Sequence, residues 1–370
     1  YYPHGINYWP LYGVNPAAGG GPRAEHWFHP DFYDAAVIDA DLALISGLGM
    51  NLVAVGLPIE PGSWPNFLDF LDRCRTYGIR IFLDTRVFDP LNVGFDDPRA
   101  PYDPAFVTDP RLDLPARREI FAYDIAWEPR LGTETERTRH NGIFSRWVAA
   151  TFGSVGAASA ALGYALPEVG QGLQASFVAH SVPLVATAGS VVTAVVEVRN
   201  TGTETWLASD PQHPVRLGIA PTQVGNRAAL GSDVGPGGIQ SLSFAVTLPS
   251  TPGRQPLSFR LVKEGTAWFG EQLDVEIDIV AEPSRLVQRR IELPAPVLAP
   301  TDVELTQDGP WRLFVVAYRR ALDAEISRRY ARVVRALRRP DPNHLISARQ
   351  GFGGNGSAWG PVVAQVPLDL

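Results

Sequence analysis

The chain alternates unbroken apolar runs of strand length with segments of helical periodicity. The apolar runs are residues 51–57 (NLVAVGL), 79–87 (IRIFLDTRV) and 119–128 (EIFAYDIAWE), and the helical segments cover 33–48, 64–77 and 141–163. A strand that is apolar on both faces belongs in a sheet covered on both sides, and alternation with helices makes that sheet parallel. Residues 5–9 (GINYW) are read as a short strand ahead of this series, and residues 344–349 (HLISAR) resume it after a long gap. The expected fold class is therefore α/β, of the (β/α)8 TIM-barrel type. About five β/α units are recognisable where closure needs eight, so the barrel is expected to be incomplete and the chain a piece of a longer protein.

The gap has its own character. From about residue 178 to 281 the sequence is rich in Val, Thr, Gly and Pro with short alternating stretches such as SVVTAVVEVRN and EQLDVEIDIV. Short alternating strands punctuated by turn residues predict an antiparallel all-β sandwich, and about 100 residues suit an immunoglobulin-like module. A β/α series that stops, hosts a sandwich and resumes is one domain with another inserted into a connection. The expected divisions are 1–177 for the first part of the barrel domain, 178–281 for the sandwich, and 282–370 for a Pro-rich linker, a helix over 310–338 and the fifth strand.

Composition narrows the function classes. With 370 residues and 45% hydrophobic content, the chain can fill large cores. A formal charge of −7 gives no attraction for a polyanion, so no nucleic-acid partner is expected. No run of about 18 apolar residues is present to span a membrane. The single cysteine, Cys74, falls in a helical pattern and is expected as a small buried apolar residue. His26 and His29 have a spacing that a metal could use, but no third ligand is near in sequence. No metal or cofactor is expected.

Parallel barrels present their chemistry at the C-terminal ends of the strands. Glu128 ends the 119–128 run between Trp127 and Pro129, and is read either as a catalytic carboxylate or as the start of a solvent loop. Other strand-end candidates are Asn7, Tyr8 and Trp9 on the first strand, Asp84 and Arg86 on the third, Asp124 and Trp127 on the fourth, and Arg349 on the fifth. Tyr8, Trp9 and Trp127 could stack on sugar rings or equally pack in a core. Arg86 could orient a carboxylate near Glu128 or form an ordinary ion pair with Asp84 or Asp124.

The series GINYWP at 5–10, GMNLV at 49–53, YDIAWEP at 123–129 and DPNHLIS at 341–347 resembles the glycoside hydrolase clan that carries β-galactosidases, cellulases and mannanases on (β/α)8 barrels. The resemblance implies that Glu128, at the end of the fourth strand, is the general acid/base of a retaining hydrolase of β-glycosidic bonds. It also implies a nucleophilic glutamate at the end of a seventh strand, expected outside this chain. Trp127 stands where the clan places asparagine. Flanked by Trp127 and Pro129, Glu128 would be partly desolvated, which favours a carboxyl that keeps its proton near neutral pH. The 178–281 module resembles the immunoglobulin-like domain of the autophagy receptor next-to-BRCA1, on NTGTETW at 200–206 and WFGE at 268–271. A spacer role without catalysis is expected for it. The rival expectation for the whole chain is a noncatalytic glycan-binding protein, cell-surface or polysaccharide-associated.

Overall fold

The computed structural model describes residues 2–10, 26–58, 60–85, 105–127, 131–220, 227–282 and 288–349. Glu128, Arg86 and the segment after Arg349 lie outside the described residues. In chain order the strands are β1 (Gly5–Asn7), β2 (Leu52–Gly56), β3 (Arg80–Asp84), β4 (Ile120–Trp127), β5 (Ala175–His180), β6 (Val185–Thr187), β7 (Val191–Asn200), β8 (Val215–Ala220), β9 (Arg227–Ala229), β10 (Ile239–Thr247), β11 (Gly253–Lys263), β12 (Ala267–Val280), β13 (Ile291–Glu292) and β14 (Leu345–Arg349). The helices are α1 (Ala35–Gly47), α2 (Trp64–Thr76), α3 (Ala105–Thr108), α4 (Glu134–Arg137), α5 (Asn141–Phe152), α6 (Val155–Leu162), α7 (Asp302–Thr306) and α8 (Arg312–Arg338).

The chain divides into two compact units. One comprises Tyr1–Asn92, Tyr102–Arg130 and Ile326–Leu370, and the other Val93–Pro101 and Leu131–Glu325.

The first unit is built on a parallel sheet in the order β1-β2-β3-β4-β14. Its two faces differ. Val53 and Val55 of β2, Ile81 and Leu83 of β3, Tyr123 and Ile125 of β4 and Ile346 of β14 are buried. Alternate residues on the opposite face, Leu52, Ala54, Phe82 and Leu345, remain partly exposed. Among the described residues β1 and β14 are edges, so the sheet is mixed-class α/β and open, with no barrel closure. Helix α1 starts where Asp34 accepts the N–H groups of Ala36 and Val37, the usual relief of unpaired donors at a helix start. Its Ile38, Leu42 and Ile45 are buried. Helix α2 buries Phe67, Phe70, Leu71 and Cys74, and Cys74 is a free, buried thiol. An aromatic knot fills the space beside these helices. Tyr8 stacks on Phe70 at 5.8 Å, and Trp27 meets both Tyr8 at 5.7 Å and Phe70 at 5.1 Å edge-on. These are favourable quadrupole arrangements.

The second unit contains two sheets, ordered β10-β7-β5-β13 and β6-β12-β11-β8-β9. Their inner faces share one core that includes Val196, Val198, Leu217, Phe259, Leu261, Leu273 and Ile277. This is an all-β sandwich. The chain changes sheet between β5 and β6: β5 pairs antiparallel with β7, while β6 pairs parallel with β12. Pro183 sits in the crossing, where a residue without an N–H costs no ladder bond. Asn200 organises the turn after β7, donating to Glu204 O and Val234 O while accepting from Gly202 N. Trp206 enters the core beside Phe269, with centroids 5.8 Å apart.

Helices α5 and α6 correct the single helix expected over 141–163. Gly153 adopts φ 81°, which ends α5, and Ser154 then caps α6 by accepting Ala157 N. A left-handed glycine closing one helix and a serine opening the next make two elements of one periodic stretch. The Pro-rich segment at 293–300 is pinned rather than free: Val297 N donates to Ser145 Oγ, Ala299 N to Asn141 Oδ1, and Leu298 N to Pro167 O. Arg137, buried, adds bonds to Gly132 O, Pro300 O and Asp302 Oδ1.

Replacing Trp206 by alanine removes the largest fully buried side chain of the sandwich core. The expected loss is about 3–5 kcal/mol of stability, measured by urea unfolding; a loss below about 1 kcal/mol would show that the tryptophan does not carry the core.

Candidate functional site

Parallel strands place their C-terminal ends on one edge, and in this sheet that edge carries Asn7, Gly56, Asp84, Trp127 and Arg349. The register aligns them. Gly56 pairs with Asp84, Asp84 with Asp124, Ser347 with Asp124, and Arg349 with Trp127. Gly56, Asp84, Asp124 and Ser347 thus form a row across four strands, on the same face. Strands lie about 4.8 Å apart, so the side chains of Asp84 and Asp124 are close neighbours. Both are buried, as is Ser347. Just beyond this row, Thr85 binds the Asp124 carbonyl with both its N–H (3.0 Å) and its Oγ1 (2.9 Å), fixing the strand ends against each other.

The sequence candidates are distributed unevenly about this edge. Asn7 closes β1, and Trp9 follows it with 42% of its surface exposed. Tyr8 is a core residue instead: 5% exposed, held between Trp27 and Phe70, with its hydroxyl 2.9 Å from Asp41 Oδ2. Sugar stacking on Tyr8 does not fit this placement, because no ring face is open to solvent. Alternation along so short a strand does not reveal which neighbour points inward. Trp127 and Arg349 are paired across β4 and β14 at the same edge. Asn7, Asp84, Asp124, Trp127 and Arg349 are therefore brought to one end of the sheet from sequence positions more than 300 residues apart. His29 has Asp31 as its partner, at 3.4 Å. Among the described residues no group of three or more His, Cys, Asp and Glu side chains could hold a metal ion, and no helix is long and apolar enough to cross a membrane.

A second polar cluster, built on the DPNHLIS segment at 341–347, lies at the opposite end of β14. Tyr123 Oη donates to Asp341 Oδ2 at 2.6 Å, and His344 Nδ1 is 2.6 Å from the same oxygen. The other carboxylate oxygen accepts Asn343 N and His344 N, both at 3.1 Å. His344 Nε2 faces the Arg117 carbonyl at 3.0 Å. Both ring nitrogens of His344 therefore face acceptors. An Asp–His pair invites a catalytic reading, but this one precedes β14, at the edge of the sheet opposite the strand ends that carry Asp84 and Arg349. Burial acts to raise the Asp341 pKa, yet the bonds from Tyr123 and His344 outweigh it and hold the carboxyl below its ordinary value. Burial and the bond to Asp341 push the Tyr123 hydroxyl far up, so it stays a donor. The spacing Asp-x-x-His just before a strand was the available sequence signal.

A carboxyl with a depressed folded pKa contributes stability that is present above its unfolded value and lost as pH falls through the folded one. Asp341→Asn is therefore expected to lower stability near neutral pH by about 1–3 kcal/mol and to flatten acid unfolding below pH 3.8, read from denaturation midpoints between pH 2 and 7. An unchanged acid limb would rule out the lock.

No protein-family model matches the chain, and no curated protein sequence matches it. Among solved structures, the ASH / PapD-like domain of human CEP192 (PapD-like domain 7) aligns at 13% identity and a TM-score of 0.17, covering 30% of this chain and 88% of that one.

Proposed function

We propose that the chain carries the first five β/α units of a (β/α)8 glycoside hydrolase domain, with an immunoglobulin-like sandwich inserted after the fourth unit, and that it acts on a β-linked poly- or oligosaccharide. The observation that supports this reading is the C-terminal edge of the parallel sheet. Five strands in consecutive order, all parallel, bring Asn7, Asp84, Asp124, Trp127 and Arg349 to one end. Glu128 follows Trp127 directly in sequence.

In the proposed mechanism Glu128 protonates the leaving glycosidic oxygen and later removes a proton from the attacking water. Retention requires a second carboxylate about 5–5.5 Å away as nucleophile, supplied by polypeptide beyond these five strands. Trp9 offers an aromatic surface for a sugar ring at the start of the same edge, and Arg86 and Arg349 supply donors for hydroxyls or carboxylates. The substrate is carbohydrate, with no nucleic acid and no cofactor involved.

The discriminating experiment uses aryl β-glycosides and soluble β-glucan or β-mannan with the wild-type protein and Glu128→Gln. Turnover by wild type that falls by at least about 10³-fold in the variant, with glycan binding retained, is the expected result. Binding by wild type without turnover would instead favour a noncatalytic glycan-binding protein, and an equal rate in both proteins would remove Glu128 from the chemistry.

A further inference from the structure

Strand β12 is buried at five successive residues, Phe269 to Leu273. A strand with one solvent face cannot do this, so at this point both of its faces are covered. Its register with β11 is also broken there: Leu261 pairs with Phe269 and Phe259 with Leu273, leaving Gly270, Glu271 and Gln272 opposite Arg260 alone. Gly270 makes the irregularity possible, with φ 70° and a backbone so close to Ala175 that a Cβ would lie 2.5 Å from that residue's methyl. Such bulges re-aim side chains, and here Glu271 is directed at the first turn of α5. Its Oε1 lies where a Cβ on Gly142, the second residue of α5, would sit, at 2.0 Å from that position.

The Glu271 carboxyl is 5% exposed and accepts one hydrogen bond, from Phe177 N at 3.1 Å. Among the described residues no ion pair reaches it. The charged and titratable groups on the surrounding elements are mostly engaged elsewhere. Arg137 binds Gly132, Pro300 and Asp302, and Arg139 Nε binds Glu136 O at 2.8 Å. His140 Nδ1 lies 2.9 Å from Tyr318 Oη, and Arg260 donates to Gly270 O and Thr138 Oγ1. Burial on β5 lowers the His180 pKa below its ordinary value. Arg146 on α5 is the cation whose field acts on Glu271. A buried carboxyl with one donor and no contacting cation is costly to ionise.

We propose that Glu271 is a proton-operated latch, holding helix α5 on strand β12 while its carboxyl is protonated and loosening that contact when it ionises. Burial pushes its pKa up to about 7, against the opposing pull of Arg146 and the Phe177 N–H. The sign follows from linkage. A group raised from 4.5 to about 7 on closure stabilises the closed state fully below pH 4.5, and loses that contribution as pH rises to about 7. Over this window the equilibrium constant for releasing α5 rises by about tenfold per pH unit, and it is flat above.

Amide hydrogen exchange of residues 141–152 in the full chain, corrected for the intrinsic pH dependence of exchange, tests this between pH 5 and 8. Wild-type protection of α5 is expected to fall by about tenfold per unit up to pH 7, and Glu271→Gln is expected to show no such slope. The same slope in Glu271→Gln, or a flat wild-type profile, would overturn the latch. Should the glutamine variant fail to fold, Arg146→Gln provides the second arm. Removing the cation that favours ionisation should move the upper end of the window to higher pH, and an unmoved window would also overturn the proposal.

Discussion

The parallel pairing of β14 with β4 is the constraint on which the first unit depends. It brings together segments separated by more than 200 residues, and the bond from Tyr123 to Asp341 spans 218 positions of sequence. The entropy of closing so long a loop grows only slowly with its length. Most of the intervening residues belong to the second unit, which has its own core, so the chain between the two strands is ordered by its own contacts rather than by the sheet. What the sheet must supply is local: a ladder, a buried face on β14, and the hydrogen bonds around Asp341 that set where the strand begins.

The parts of this fold that were legible in sequence are those whose apolar pattern is regular. β2, β3 and β4 read as unbroken apolar runs because even the partly exposed face carries apolar residues, Leu52, Ala54 and Phe82 among them, and each strand begins within one residue of its expected start. The sandwich strands were legible for the opposite reason, since β7 and β10 alternate with a period of two and hide one face only. Residues that break either pattern were not legible. Tyr8 looks like a strand-end aromatic but is drawn inward by Trp27, Phe70 and Asp41. Gly153 sits inside a stretch of helical periodicity, and only its left-handed backbone reveals two helices.

Glu271 is a carboxylate placed in an apolar phase. In GEQLDVEIDIV it alternates in step with Leu273, Val275 and Ile277 and out of step with Asp274 and Asp278, so the period places it on the inward face although its residue type suggests solvent. The bulge at Gly270 and the covering helix leave it one of the most buried carboxyls of the unit. Asp341 is similar in kind, because a loop residue in an Asp-Pro-Asn-His stretch becomes the hub of four hydrogen bonds only when β4 and the Arg117 turn are folded around it. The candidate site was legible to the extent that strand order and strand ends are legible: the residues that end strands were identifiable, and the row formed by Asp84, Asp124 and Ser347 required the register.

The edges of the three sheets have unequal lengths. β1, β6 and β9 are three residues long, β13 two and β14 five, whereas β10 runs for nine. A free edge is a template for another strand, and a short one offers too few donors and acceptors for a persistent ladder. Among the described residues, then, resistance to strand-to-strand association is built in by brevity at the four edges of two or three residues, and at β10 it rests on outward residues that include Ser241, Ser243 and Thr247 as well as Ile239.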